Sequence, residues 1–253
     1  MKTLLIQAPI TWENPKANRL YFGEIITNAS QVDLIILPEM FTTGFTMNPT
    51  LNAETMVGET AVWLKELAKL KNAAIMGSVV IVEDGKYYNR LLFVFPTGET
   101  AYYDKRHLFT LAGEDKVYEA GKQKLIINYK GWKICPMICY DLRFPVFSRN
   151  VEDYDLLIFV ANWPESRIEA WDALLKARAI ENMSFVIGLN RIGKDDNSHN
   201  YNGHSQILDC LGNYILLPSE NEFSIVATLD KSDLNQTRTK FGFLNDRDSF
   251  TVN

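Results

Sequence analysis

The stretch Trp132-Lys133-Ile134-Cys135-Pro136-Met137-Ile138-Cys139-Tyr140-Asp141-Leu142-Arg143-Phe144-Pro145 begins as an apolar run and ends as a polar, turn-forming segment. The run predicts a buried strand, and the segment after it predicts a turn leading toward a helix. Cys139 lies at the junction. There the sheet edge exposes a side chain and the amides of the turn point at it, which lowers a thiol pKa and stabilises an oxyanion. A buried structural cysteine is the alternative, because free cysteine commonly packs as a small hydrophobe.

The composition is that of an ordinary globular protein, with 253 residues, 47% hydrophobic and 23% charged. Such a chain can bury a sizeable core, and no linker interrupts it, so one domain over 1–253 is predicted, with 239–253 as a carboxyl-terminal tail. Three phenylalanines predict that this tail docks on the domain. The net charge of −5 argues against a nucleic-acid partner. No apolar run approaches the roughly 18 residues of a membrane span, so no membrane partner is predicted.

Cysteine and histidine usage bears on compartment and cofactors. Three cysteines without zinc-ribbon spacing, in a chain lacking a signal peptide, predict reduced thiols and a cytoplasmic protein. His199 and His204 share a loop that lacks an acidic cluster, so no metal is predicted. His107 is interpreted as structural. Neither a G-x-G-x-x-G motif nor a P-loop is present, and no cofactor is expected.

Short β-like runs alternate with helical patterns along the whole chain. About eleven strands are predicted, at 4–8, 33–37, 74–82, 88–95, 100–103, 125–128, 132–138, 156–161, 185–189, 205–209 and 224–229. Helices are predicted at 14–27, 59–71 and 169–182, and Trp63, Leu67 and Leu70 form the core face of the second. So many strands favour two mixed sheets packed face to face with helices outside, an α+β fold. A single doubly wound sheet is the runner-up, but 74–138 offers no crossover helix.

Two further strand ends repeat the pattern at Cys139. The run 33–38 leads into Glu39, and the run 100–104 leads into Lys105. Strand ends gather at one rim of a sheet, where ligands bind, so the three side chains are expected to converge. A carboxylate can take the thiol proton and an ammonium can stabilise an oxyanion. Taken singly, a glutamate there is commonly a helix cap and a lysine a solvated charge.

Together, the three contexts resemble the nitrilase superfamily of carbon–nitrogen hydrolases, whose signature is a glutamate, lysine and cysteine triad in this order. They read Leu37-Pro38-Glu39-Met40-Phe41, Tyr103-Asp104-Lys105-Arg106-His107-Leu108-Phe109 and Ile138-Cys139-Tyr140-Asp141-Leu142-Arg143-Phe144-Pro145. The resemblance continues through Val160-Ala161-Asn162-Trp163-Pro164 and is strongest to the bacterial omega-amidase branch. It implies a four-layer αββα sandwich and a homodimer formed through helices that follow the Cys139 and Ala161 strands.

The resemblance also implies a mechanism. Glu39 is the general base that activates Cys139 and later protonates departing ammonia. Cys139 holds a thioester, and its oxyanion meets Lys105 and the backbone N–H of Tyr140. Many members have a second glutamate after the lysine, for which Glu114 is the nearest match and Asp115 the rival.

An omega-amide substrate carries a carboxylate at its other end, which needs a cation. Arg143 is one candidate, because arginine suits bidentate carboxylate recognition. It equally suits an ion pair with Asp141. Four more substrate-binding residues are expected to line or close the pocket: Asn162, Trp163, Phe41 and Phe45. Arg178 and Glu181 are interpreted as supports on a helix.

The function that the resemblance implies is cofactor-free hydrolysis of a small-molecule amide. The expected substrates are 2-oxoglutaramate and the related 2-oxo amide of a methionine-derived acid. An N-carbamoyl or aliphatic amidase is the second enzymatic interpretation. A non-catalytic binding protein on the same fold is a third, because a fold does not guarantee chemistry.

Overall fold

The computed structural model describes residues 1–252, so that Asn253, the last residue of the predicted tail, lies outside the described residues. The strands are β1 (Lys2–Gln7), β2 (Leu34–Ile36), β3 (Ala74–Glu83), β4 (Lys86–Val94), β5 (Thr100–Asp104), β6 (Ile127–Tyr129), β7 (Trp132–Ile138), β8 (Leu156–Ala161), β9 (Phe185–Asn190), β10 (Ile192–Lys194), β11 (Asn200–Asn202), β12 (Gln206–Leu208), β13 (Tyr214–Leu216) and β14 (Phe223–Thr228). The α-helices are α1 (Pro15–Asn28), α2 (Pro49–Asn52), α3 (Glu59–Lys71), α4 (Pro145–Ser148), α5 (Ile168–Asn182) and α6 (Lys231–Phe241).

Two mixed six-stranded sheets make up most of the fold. The first has the order β14-β1-β2-β3-β4-β5 and the second β13-β12-β9-β8-β7-β6, while β10 and β11 form a separate hairpin. In the first sheet β1, β2 and β3 are parallel, and in the second β7, β8 and β9 are parallel. The carboxyl ends of these central strands meet at one edge, which is where the strand-end residues lie.

The layers follow from alternation along the strands. In β1, Leu5 packs into the core between the two sheets, whereas its neighbours Leu4 and Ile6 pack against α1 and α3 on the outer face. The second sheet is covered by α5, whose Trp171 and Leu175 are fully buried. Each sheet therefore buries both faces, one against the other sheet and one against helices. This is the predicted four-layer αββα sandwich of the α+β class.

One local prediction is corrected, and three short strands were not predicted. Leu70 does not belong to the buried face of α3: it is 67% exposed, because Ala61, Leu64 and Ala68 define that face at helical spacing. Strands β10, β11 and β13 were not predicted from the sequence. They are three residues each and carry glycine, asparagine or exposed apolar side chains, so none shows a buried alternating pattern.

The carboxyl-terminal segment is part helix and part irregular chain. Helix α6 continues to Phe241, two residues beyond the predicted start of the tail at 239. The rings of Phe241 and Phe243 stack on each other with centroids 5.3 Å apart. Phe241, Phe243 and Phe250 are each more than a third exposed, so these rings lie outside the core, while Arg247 of the same segment pairs with Asp153 of the domain at 2.7 Å. No helix within residues 1–252 is long and apolar enough to cross a membrane.

Candidate active site

Three strand ends deliver the ionisable groups to one place. Glu39 follows β2, Lys105 follows β5 and Cys139 follows β7. The Lys105 ammonium lies 2.9 Å from Glu39 Oε1, and both side chains are buried. Cys139 lies beside them and lines the cavity that opens at this edge of the sandwich. The structure thus brings together the residues that the strand-end argument grouped.

The backbone at Cys139 turns sharply. Its φ is +43°, in the left-handed region that non-glycine residues rarely adopt. The strained conformation ends β7 and presents the side chain at the tip of a tight turn, as nucleophiles on strand-to-helix elbows are presented. Two contacts hold the turn. Asp141 Oδ2 accepts the backbone N–H of Ile138 at 3.0 Å, and the buried Arg178 of α5 donates to the carbonyl of Leu142 at 2.5 Å.

The carboxylate of Glu39 is held by three hydrogen bonds. Oε1 accepts from Lys105 and from the side-chain amide of Asn89, at 2.9 and 2.8 Å. Oε2 accepts from the backbone N–H of Asn162 at 2.8 Å, and the Asn162 side chain donates to the Glu39 carbonyl at 2.6 Å. Glu39 is therefore fixed in orientation by both sheets. No role was predicted for Asn89, although an asparagine within the otherwise apolar part of strand β4 could have indicated a polar site.

Glu114 is the second acidic residue of the cluster. Both its oxygens accept from Lys105, at 3.0 and 2.9 Å, and Oε2 also accepts from the backbone N–H of Phe109 at 2.6 Å. Asp115, the rival, points outward and is exposed. One ammonium thus bridges two buried carboxylates. Removing it would leave both uncompensated in the interior, a change that typically costs about 3–5 kcal/mol for a buried pair.

Burial and charge together set the protonation states. Burial by itself would lower the pKa of Lys105, but Glu114 and Glu39 outweigh it and raise that pKa, so the lysine stays an ammonium. Burial raises the pKa of Glu114, while Lys105 opposes the shift. For Cys139, burial first and the Glu39 carboxylate second raise the pKa, and Lys105 only partly offsets them. The sequence predicted a lowered thiol pKa. The resting nucleophile is instead a thiol beside a carboxylate that can take its proton.

The cavity has a volume of about 550 Å³ and draws on both sheets and the β10–β11 hairpin. Phe45, Asn162 and Trp163 line it as expected, and the Phe45 ring lies 5.0 Å from the Lys105 nitrogen. Phe41 does not line it. Its ring is fully buried on the outer face of the first sheet, where it packs edge-on against Phe22, because Met40 reverses the chain with φ +43°.

Arg143 lies on the cavity wall with its guanidinium 4.9 Å from the ring centre of Trp163. It makes no ion pair with any residue among 1–252, so the pairing with Asp141 is not found. Asp141 is occupied by other donors: the Tyr103 hydroxyl at 2.7 Å and the backbone N–H and Nδ1 of His107 at 3.1 and 2.7 Å. The guanidinium therefore remains available to an anion in the cavity.

The remaining predicted side chains have structural contacts. His107 stacks on Phe144 with ring centres 3.7 Å apart, and His204 lies 2.8 Å from Asp172. Arg178 pairs with Glu181 at 2.9 Å, which matches their interpretation as supports. Within residues 1–252, no group of three or more histidine, cysteine, aspartate or glutamate side chains is arranged to hold a metal ion.

Known proteins resemble this chain in sequence and in structure. Residues 4–239 match the model of the carbon–nitrogen hydrolase family. A protein of Yersinia enterocolitica named omega-amidase YafV is 45% identical over all of this chain and 98% of its own. A 2-oxoglutaramate amidase of Paenarthrobacter nicotinovorans is 34% identical over 88% of this chain and 81% of its own. The crystal structure of XC1258 from Xanthomonas campestris, a CN-hydrolase superfamily protein, superposes with a TM-score of 0.98 at 43% identity, covering 100% and 99% of the two chains.

Proposed function

The chain belongs to the carbon–nitrogen hydrolase family, and from that premise we propose that it is an omega-amidase that hydrolyses the terminal amide of 2-oxo dicarboxylic acid monoamides. The observation that carries the proposal is the buried cluster in which Lys105 bridges Glu39 and Glu114 beside the Cys139 thiol. Full-length relatives named omega-amidase support the reaction class. The 2-oxoglutaramate amidase relative supports the substrate, and the 2-oxo amide of a methionine-derived acid is its analogue.

The first half of the reaction forms the thioester. Glu39 accepts the proton of the Cys139 thiol as sulfur attacks the amide carbon. The negative charge that develops on the carbonyl oxygen is stabilised by the Lys105 ammonium and the Tyr140 backbone N–H, an electrostatic effect worth a few kcal/mol per donor. Glu39 then gives its proton to the amide nitrogen. The carbon–nitrogen bond breaks and ammonia leaves.

The second half returns the enzyme to its starting state. Glu39, again a carboxylate, takes a proton from water as the water oxygen attacks the thioester carbon. The carbon–sulfur bond then breaks, the acid leaves, and the proton held by Glu39 returns to Cys139. Glu114 positions Lys105 through both carboxylate oxygens, at 3.0 and 2.9 Å.

The other end of the substrate determines specificity. Arg143 has no ion-pair partner among the described residues, lines the same cavity as Cys139 and is supported by Trp163. A guanidinium presents a planar fork that matches a carboxylate. This supports an amide that carries a carboxylate over a neutral aliphatic amide. It also argues against a non-catalytic binding protein, because the Cys139 nucleophile lines the cavity and the carboxylate of Glu39 is buried directly beside that thiol.

A substrate panel tests the proposal. Ammonia release is measured with 2-oxoglutaramate, an N-carbamoyl amino acid, a neutral aliphatic amide and a nitrile, for the wild type and Cys139→Ala. The 2-oxo amide is expected to have the highest kcat/KM, and the variant is expected to be inactive. A higher kcat/KM for the N-carbamoyl or aliphatic substrate would assign the enzyme to that branch. Full activity of Cys139→Ala would refute the mechanism.

The proposal extends to assembly and compartment. We propose a cytoplasmic homodimer. Its assembly is supported by apolar side chains on the helices that follow β7 and β8: Val146 of α4 is 60% exposed and Ile180 of α5 is 48% exposed. Light scattering at micromolar concentration tests the dimer, and a monomer there would contradict it. We also propose that residues 1–253 form one catalytic domain, a proposal supported by the cavity, which takes residues from both sheets.

A further inference from the structure

A second arginine that forms no ion pair with residues 1–252 lies on the wall of the same cavity. Arg167 precedes α5, and its guanidinium lies 5.1 Å from the ring centre of Phe109. Its backbone is fixed, because its N–H donates to the Pro164 carbonyl at 3.0 Å and its carbonyl accepts from Trp163. No residue in the described range 1–252 forms an ion pair with its side chain. The charge therefore faces the cavity uncompensated.

Trp163 connects the two arginines. One face of its ring lies under the guanidinium of Arg143 at 4.9 Å, and its Nε1 donates to the carbonyl of Arg167 at 2.8 Å. The tryptophan is itself buried and held by Asn190, whose Oδ1 accepts its backbone N–H at 2.8 Å. One buried side chain thus contacts the guanidinium of Arg143 and fixes the backbone of Arg167, and both arginines line the same cavity.

The acidic side chains of the cavity wall do not neutralise this pair. Asp195 accepts from the Tyr201 hydroxyl and from the backbone N–H of His199, each at 2.9 Å. Glu13 accepts from the Thr46 hydroxyl. Lys105 is compensated by its two carboxylates. Within residues 1–252 neither acid forms an ion pair with Arg143 or Arg167, so both guanidinium groups are free to bind an anionic group of the substrate.

We propose that Arg167 is a specificity-determining residue that, together with Arg143, binds the carboxylate and the adjacent 2-oxo oxygen of the substrate and rejects an ammonium at that carbon. The inference rests on the proposed function and deepens it. A 2-oxo acid offers two neighbouring acceptors in one plane, which two guanidinium groups can share. The corresponding amino acid amide, glutamine, places a positive charge there, and like charges in a partly desolvated cavity repel.

The test compares amides that differ only at this end. Steady-state kinetics are measured with 2-oxoglutaramate, glutaramate, butyramide and glutamine for the wild type, Arg167→Gln and Arg167→Lys. Arg247→Gln is the matched control, because Arg247 pairs with Asp153 outside the cavity. Arg167→Gln is expected to lower kcat/KM for 2-oxoglutaramate about 10- to 100-fold, mainly through KM, as lost charge-assisted hydrogen bonds predict. In the same variant, kcat/KM for butyramide is expected to change less than about twofold. For 2-oxoglutaramate, Arg167→Lys is expected to have a kcat/KM between those of the wild type and Arg167→Gln.

If Arg167→Gln lowered kcat/KM equally for 2-oxoglutaramate and butyramide, or for neither substrate, the proposed role of Arg167 would be wrong. A ratio of 2-oxoglutaramate to glutamine turnover that does not fall in Arg167→Gln would overturn the rejection of ammonium. Failure of the proposed function looks different: the wild type would release no ammonia from 2-oxoglutaramate. Calorimetric binding of 2-oxoglutaramate to Cys139→Ala, with and without Arg167→Gln, needs no turnover. An unchanged Kd there would refute the inference.

Discussion

The carboxylate of Asp141 accepts a hydrogen bond from the Tyr103 hydroxyl at 2.7 Å and so joins the strand that leads to Lys105 to the turn that carries Cys139. The same carboxylate accepts the backbone N–H groups of Ile138 and His107, at 3.0 and 3.1 Å. Asp141 and Tyr103 are both buried. One buried side chain thereby ties together the two segments that carry the ammonium and the nucleophile.

Asp141→Asn is expected to lower kcat about 100-fold with little change in KM, because a shift of about 1 Å at the reacting groups has that effect. Its amide would turn a donor toward groups that donate, so the free energy of unfolding should also fall by about 1–3 kcal/mol. Tyr103→Phe, which removes one of the bonds, is the milder control. Steady-state kinetics and urea denaturation measure both. A folded Asp141→Asn with normal kcat would refute the positioning role.

Cys139→Ala is expected to lower kcat by roughly 10⁴-fold or more, because no other group can form the thioester. Cys210→Ala is the control: Cys210 is also buried but does not line the cavity. Ammonia release measures activity, and mass spectrometry of acid-quenched enzyme detects the acyl group. A comparable loss of activity in Cys139→Ala and Cys210→Ala would indicate that Cys139 has a structural role.

Glu39→Gln is expected to lower the pKa of the Cys139 thiol. Burial raises that pKa most, the Glu39 carboxylate adds to the rise, and Lys105 acts in the opposite direction, so removing the carboxylate charge leaves the lysine less opposed. The pH midpoint of Cys139 alkylation by iodoacetamide should shift down by roughly one unit or more. Wild-type alkylation should still be rising at about pH 9, above the usual thiol pKa of about 8.5.

Peptide mass spectrometry assigns the alkylation to Cys139 rather than to Cys135 or Cys210. Glu39→Gln should also lose amidase activity although its thiol is more acidic, because no group remains to protonate the departing amide nitrogen or to deprotonate the attacking water. A midpoint in the variant equal to or above that of the wild type would contradict the electrostatic argument.

Gly188→Ala is expected to destabilise the protein by about 1–3 kcal/mol through overpacking. A Cβ on Gly188 in β9 would lie 2.3 Å from Leu175 Cδ1 and 2.8 Å from Trp171 Cζ2 of α5. Gly23→Ala, in α1, makes the same substitution where the nearest atom is 3.5 Å away, and it should be neutral or stabilising by up to about 1 kcal/mol. Chemical denaturation measures both. Equal effects would show that α5 moves freely on the sheet.

Much of the architecture was predictable because its signals are local. Apolar alternation identified the eleven longer or more buried strands, whereas β10, β11 and β13 lack such a pattern. The positions of Glu39, Lys105 and Cys139 at strand ends predicted their convergence. Phe41 was misplaced, because its side chain turns to the outer face only through the positive φ of Met40.

By itself the sequence determined the strand and helix pattern, the two-sheet sandwich and the strand ends that carry a carboxylate, an ammonium and a thiol, since each depends on residues within a few positions. The tertiary structure alone decided which acid bridges Lys105, that Asn89 and the Asn162 backbone hold Glu39, and that the pKa of the Cys139 thiol is raised. It also decided that Arg143 and Arg167 face the cavity without an ion-pair partner among residues 1–252. These depend on burial and on partners far apart in the chain, such as Glu39 and Asn162, 123 residues apart, which only the packing of two sheets brings into contact.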